Sequence, residues 1–84
     1  MKLNKVAYNN LLSGSISGFD KNYNLQYFDV NNNTLTGSIP SLADCTGLQY
    51  FDVSENYLSG SIPNLQYNQQ LEEVYFDQNY FSSY

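Results

Sequence analysis

Asp29 and Asp52 have the most chemistry to offer, and they stand 23 positions apart, each two residues after a tyrosine, Tyr27 and Tyr50. On neighbouring strands of a parallel sheet two such carboxylates would lie about 5 Å apart, the separation of a retaining glycosidase's carboxyl pair. That chemistry also needs an enclosure that raises one carboxyl's pKa, and an open sheet supplies none. The chain has no histidine, no nucleophile beside a base and no glycine-rich phosphate loop opening a helix. Catalysis is therefore not expected, and no cofactor is called for. Metal binding by Asp29, Asp52 and Asp77 is not expected either, because they fall in different columns or turns. Carboxylates interleaved with tyrosines suit recognition better: the phenol ring offers amphipathic contact area, and the acids favour a cationic partner.

What must position these residues is a repeat. Leu25, Leu48 and Leu71 recur every 23 residues, as do Asn10, Asn33, Asn56 and Asn79, Gly14, Gly37 and Gly60, and Ile16, Ile39 and Ile62. A fixed period of this length marks a solenoid, whose units bury their apolar faces only against one another. Within a unit Phe28 and Val30 alternate with Tyr27, Asp29 and Asn31, the period of a half-buried strand. Phe51 with Val53, and Val74 with Phe76, repeat the inward pair. A sharp turn follows each strand, and its buried backbone groups need partners. An asparagine amide both donates and accepts, so Asn10, Asn33, Asn56 and Asn79 are expected to form a stacked ladder there. Phe19, Leu42 and Leu65 would close the back of the coil. No run of ten helix formers exists, so the outer side should be short turns or 3-10 pieces.

Composition narrows the partners. Of 84 residues 13% are charged, and the net charge is −5 with only three lysines and no arginine. Clustered cations are what phosphate neutralisation requires, so neither nucleic acid nor an anionic membrane surface is expected to bind. No apolar run approaches the length of a spanning helix, and the first ten residues are too polar for a signal peptide. Cys45 is the single cysteine and cannot form an internal disulfide. The run Asn32-Asn33-Thr34 matches the N-glycosylation pattern.

The run from Leu25 to Leu42, repeated from Leu48 to Leu65, resembles the plant-type leucine-rich repeat. Its hallmark segment is present as Leu35-Thr-Gly37-Ser-Ile39-Pro40 and Leu58-Ser-Gly60-Ser-Ile62-Pro63. The resemblance implies an α/β-type leucine-rich-repeat solenoid: short parallel strands on the concave face, turns or 3-10 pieces on the convex face, little or no α-helix. One segment would cover 1–84, with repeats at 2–24, 25–47 and 48–70 and a partial one at 71–84. These units are one residue shorter than the commonest form, and the back of the coil carries Asn22, Cys45 and Asn68 where leucine is usual.

In that family ligands usually meet the outward residues of the stacked strands. Carried over by position, these columns are Asn4, Tyr27, Tyr50 and Glu73; Val6, Asp29, Asp52 and Tyr75; and Tyr8, Asn31, Ser54 and Asp77. Glu55 and Gln78 lie just past them. The resemblance thus implies a protein or peptide partner of basic character, a receptor-like ectodomain role, and a place outside the cell or at its surface. An inhibitor of a secreted cell-wall-degrading enzyme is a second implied role, and a structural segment with no ligand is a third. The ends depart from the pattern. Lys5 falls where Phe28 and Phe51 point inward, so the first strand is either frayed or slipped by one, which would turn Leu3, Val6 and Tyr8 inside. No paired-cysteine caps are present. The chain is therefore expected to be a segment of a longer array, or to associate end to end.

Overall fold

A computed structural model describes residues 3–82. Met1, Lys2, Ser83 and Tyr84, and the side chains of Leu3 and Asn4, lie outside the described residues, and with them the outward placement of Asn4 and the inward alternative for Leu3. Four parallel strands form one sheet in chain order: β1 (Leu3–Val6), β2 (Leu25–Asp29), β4 (Tyr50–Asp52) and β6 (Glu73–Tyr75). The register repeats at 23 residues, with Tyr27 opposite Tyr50 opposite Glu73, and Asp29 opposite Asp52 opposite Tyr75. Each strand is short because the coil must turn at both ends, and each pairs only with the turn before and the turn after it.

The inward residues are the ones the alternation assigns. Phe28, Val30, Phe51 and Val53 are buried with Leu25, Leu35, Ile39, Leu42, Leu48, Leu58, Phe19 and Cys45. Full burial of one such side chain stabilises by about 1.5–3 kcal/mol, and these side chains form one continuous cluster. Its rings interlock: Phe28 stacks on Phe51 at 5.2 Å, and Phe19 meets Phe28 edge-on at 5.1 Å. Burial fades towards the last turn, where Leu65, Leu71, Val74, Phe76 and Phe81 are only partly covered.

The first strand is not slipped at Lys5. Lys5 lies opposite Phe28 and Val6 opposite Asp29, the irregularity falling between Leu3 and Asn4. Lys5 is exposed, Val6 is 51% exposed and Tyr8 is exposed as well, so the alternative that turns Val6 and Tyr8 inside is overturned. A lysine in the phenylalanine column cannot be buried without a partner, and the strand keeps its register by leaving that end of the core thin.

A second ribbon runs beside the main sheet. β3 (Thr36–Gly37) pairs in parallel with β5 (Tyr57–Leu58), and Ser15 bridges to Thr36. The same ladder continues as Tyr80 donates to the Leu58 carbonyl and Ser82 to that of Gly60. Gly37 and Gly60 hold this ribbon together. Both have φ near +80°, a left-handed region that side chains disfavour. A Cβ on Gly60 would also press on the Ser38 Cβ at 3.3 Å. On the convex side the chain forms successive turns, with no helix, α or 3-10, among the described residues.

Candidate functional site

The concave face is built from the outward side chains of β2, β4 and β6. Tyr27 and Tyr50 stack almost parallel, centroids 4.3 Å apart and planes 5° off, because the register places them directly opposite. Tyr75, one column over, leans on Tyr50 at 5.8 Å and 54°. Aromatic pairs of this kind contribute about 0.5–1.5 kcal/mol beyond their area. The result is a ribbon of three rings crossing the strands. Gln26, Gln49, Glu72 and Glu73 border a shallow cleft along its edge with Tyr27 and Tyr50.

The two aspartates behave differently from a solvated acidic face. Asp29 is 4% exposed and Asp52 8%. Each folds back on its own strand end. Asp52 Oδ1 accepts from the Ser54 amide at 3.0 Å and from Ser54 Oγ at 2.6 Å, and Oδ2 accepts from Tyr50 Oη at 3.2 Å. Asp29 Oδ1 accepts from the Asn31 amide at 3.2 Å and from Asn31 Nδ2, which also reaches Asp52 Oδ2 at 3.4 Å. Asn31 thereby bridges two carboxylates on adjacent strands, supplying donor hydrogens where two like charges would otherwise repel. Burial, followed by the charges of Asp52 and Asp29, holds the Tyr50 phenol above its ordinary range. Tyr75 is raised too, first by its 2.8 Å hydrogen bond to Glu73 and then by that carboxylate's charge.

On this face the carboxylates open to solvent are therefore Glu55, Glu73 and Asp77, with Glu72 beside them. Ser54 is buried and Asn31 half-buried. Among the described residues no group of three His, Cys, Asp or Glu converges as a metal site would. No helix there is long and apolar enough to cross a membrane.

Beside the face runs the asparagine column. Asn56 Nδ2 donates to the carbonyls of Val30, Val53 and Ser54, each at 3.1 Å, and its Oδ1 accepts from the Leu35 amide at 3.1 Å. Asn33 repeats the set with Ala7, Val30, Asn31 and the Leu12 amide. So does Asn79, with Val53, Phe76, Asp77 and the Leu58 amide. Asn10 does not: it is exposed and donates only to Tyr8, because no preceding turn lies beneath it among the described residues. Sequence reasoning missed a second such residue. Asn68, buried on the back of the coil, donates to the Leu42 and Cys45 carbonyls at 2.9 Å. The only signal was a polar residue in a column where leucine is usual.

A family profile described as Leucine Rich repeats (2 copies) matches residues 23–67, more than half the chain. The protein belongs to the leucine-rich repeat family. Such domains generally mediate protein–protein interaction and are typically non-enzymatic binding modules. No curated protein and no solved structure matches the chain.

Proposed function

We propose that the chain is a non-catalytic recognition module that binds a protein or peptide of basic character across its concave strand face, within a receptor-like ectodomain outside the cell. The observation that carries this is the ribbon of Tyr27, Tyr50 and Tyr75 with the exposed carboxylates of Glu73 and Asp77 along its edge. Aromatic rings beside acids favour lysine and arginine through cation–π and charge-assisted contacts together. Asp52 accepts from the Tyr50 hydroxyl and is itself held by Ser54 and Asn31, the latter also bonded to Asp29, while Tyr27, Tyr50, Glu73, Tyr75 and Asp77 meet the ligand. An extracellular setting agrees with the exposed Asn32 of the glycosylation pattern. A glycan on Asn32 after expression through a secretory pathway would support that setting.

The test uses peptides of equal length graded in lysine and arginine content. Binding should rise with their positive charge and fall in Tyr50→Ala and Glu73→Gln. Tyr67→Ala, an exposed tyrosine away from the strands, should bind as wild type does. Equal loss in all three variants, or binding indifferent to peptide charge, contradicts the assignment. The purely structural alternative is favoured by one observation, the burial of Asp29 and Asp52 in bonds to their own strand ends. Absence of binding to every peptide would support it.

A further inference from the structure

Past the ends of the strands, on the flank of the coil, runs a groove of about 400 Å³ that shares no residue with the ring ribbon of the concave face. One wall carries Asn32, Glu55 and Gln78, the same position in successive turns. All three are exposed and have φ near +60°. Glycine would hold that backbone at less cost, so the turn itself does not call for a glutamate or a glutamine there.

The opposite wall is Tyr57 and Tyr80, again one period apart and 49% and 65% exposed. Their rings are nearly parallel, 20° off, with centroids 5.8 Å apart. The Tyr27–Tyr50 pair is closer, at 4.3 Å, so Tyr57 and Tyr80 overlap less and leave part of a ring face open. Between the walls lie Asn33, Asn56 and Asn79, whose amides are already spent on backbone groups. A ligand therefore meets the walls and not the floor.

The chemistry of the walls selects that ligand. The Gln78 amide and the two phenol hydroxyls can each donate and accept, and Glu55 accepts. Asn32 gives its Nδ2 to Asn9 Oδ1 and keeps its own Oδ1 as an acceptor. A sugar hydroxyl also donates and accepts, and the C–H face of a pyranose with equatorial hydroxyls packs flat on an aromatic ring. Apolar faces with a few converging polar groups are the usual make-up of a small-ligand site. Charge narrows the choice further. Glu55 is the one charged residue lining the groove and no lysine lines it, so uronic acids and phosphates are repelled. A single carboxylate also offers a basic segment less than Glu73 and Asp77 do on the concave face. The 5.8 Å step between the rings is close to the rise of one sugar in an extended β-linked chain, so successive sugars would meet successive tyrosines.

We propose that this flank groove binds a neutral β-linked oligosaccharide, laid along the coil with its sugar faces on Tyr57 and Tyr80 and its hydroxyls bonded by Asn32, Glu55 and Gln78. It is a second site, separate from peptide recognition on the concave face. The groove crosses the turns, and an outward column stays outward whatever adjoins the coil.

NMR titration tests it, on chain made without N-glycosylation so that Asn32 is bare. The probes are cellohexaose, laminarihexaose, xylohexaose, mannohexaose and N-acetylchitohexaose. At least one should shift the amides of Glu55, Tyr57, Gln78 and Tyr80 and leave those of Tyr27 and Tyr50 in place, equally at low and high salt because no charge pair is involved. Tyr57→Ala and Tyr80→Ala should each weaken that binding about fivefold, whereas Tyr67→Ala should not, folding being checked by circular dichroism. The proposal is overturned if no probe shifts the groove amides, if the shifts fall on Tyr27 and Tyr50 instead, or if both groove variants bind as the wild type does. A proline-rich peptide that shifts the groove amides when no sugar does overturns it as well.

Discussion

Two columns of the coil bury asparagine, and they use it differently. On the strand side Asn33, Asn56 and Asn79 occur in successive turns, and each uses both halves of its amide. On the back the column reads Asn22, Cys45, Asn68. There Asn68 spends its amino group on two carbonyls while its Oδ1 is buried without a partner. A position whose backbone needs both a donor and an acceptor in every turn accepts one residue type. A position that needs only a donor also tolerates Cys45, which is fully buried and contributes packing.

Asn56→Ala should break the strand-side column most severely. It strips donors from three carbonyls and the acceptor from the Leu35 amide in the interior, so a loss of about 3 kcal/mol is expected, read by denaturant unfolding. Asn10→Ala, whose side chain makes one exposed bond, should cost less than about 0.5 kcal/mol. Similar losses for both would mean that the column is not a ladder.

The strand face should also respond to alkali. The folded Tyr50 phenol lies above its unfolded value of about 10, so its stabilising contribution is complete below that pH and is lost as pH rises past it. Melting temperature should fall as pH rises above about 10, and Tyr50→Phe should flatten the fall. An unchanged slope in the variant would remove Tyr50 from this role.

On the back, Asn68→Leu removes the orphan oxygen but leaves the Leu42 and Cys45 carbonyls without that donor. The opposing effects should leave stability within about 1 kcal/mol of wild type. The smallest signal comes from Cys45. Burial, aided by the Asp44 charge, pushes its thiol up to about 11, so a thiol reagent at pH 8 should label it only through unfolding. Labelling should accelerate strongly in Asn56→Ala and little in Asn68→Leu. Fast labelling of the wild type would show that the back of the coil opens independently.

Much of this was legible in the 23-residue period. The inward residues of β2 and β4, the opposition of Tyr27 to Tyr50, and the place of Asn33, Asn56 and Asn79 all follow from residues of one type at one spacing. The burial of Asp29 and Asp52 was not legible. Alternation assigns a side chain to a face, but a short carboxylate on that face can curl onto an amide two residues ahead, as both do. The second ribbon was hidden because its outward residues, Thr36, Ser38, Ser59 and Ser61, resemble those of any polar loop. Left-handed backbone at Asn32, Glu55 and Gln78 was equally silent, since nothing in a glutamate or glutamine announces positive φ.

Hydrogen exchange at the Leu35 and Leu58 amides tests the stacked column most directly, because each donates to a column asparagine one turn further on. Both should exchange only with global unfolding, and Leu35 should lose that protection in Asn56→Ala while Leu48 keeps its own relative to the variant's stability. Exchange of Leu35 and Leu58 in the wild type at the rate of unstructured peptide would contradict the column outright.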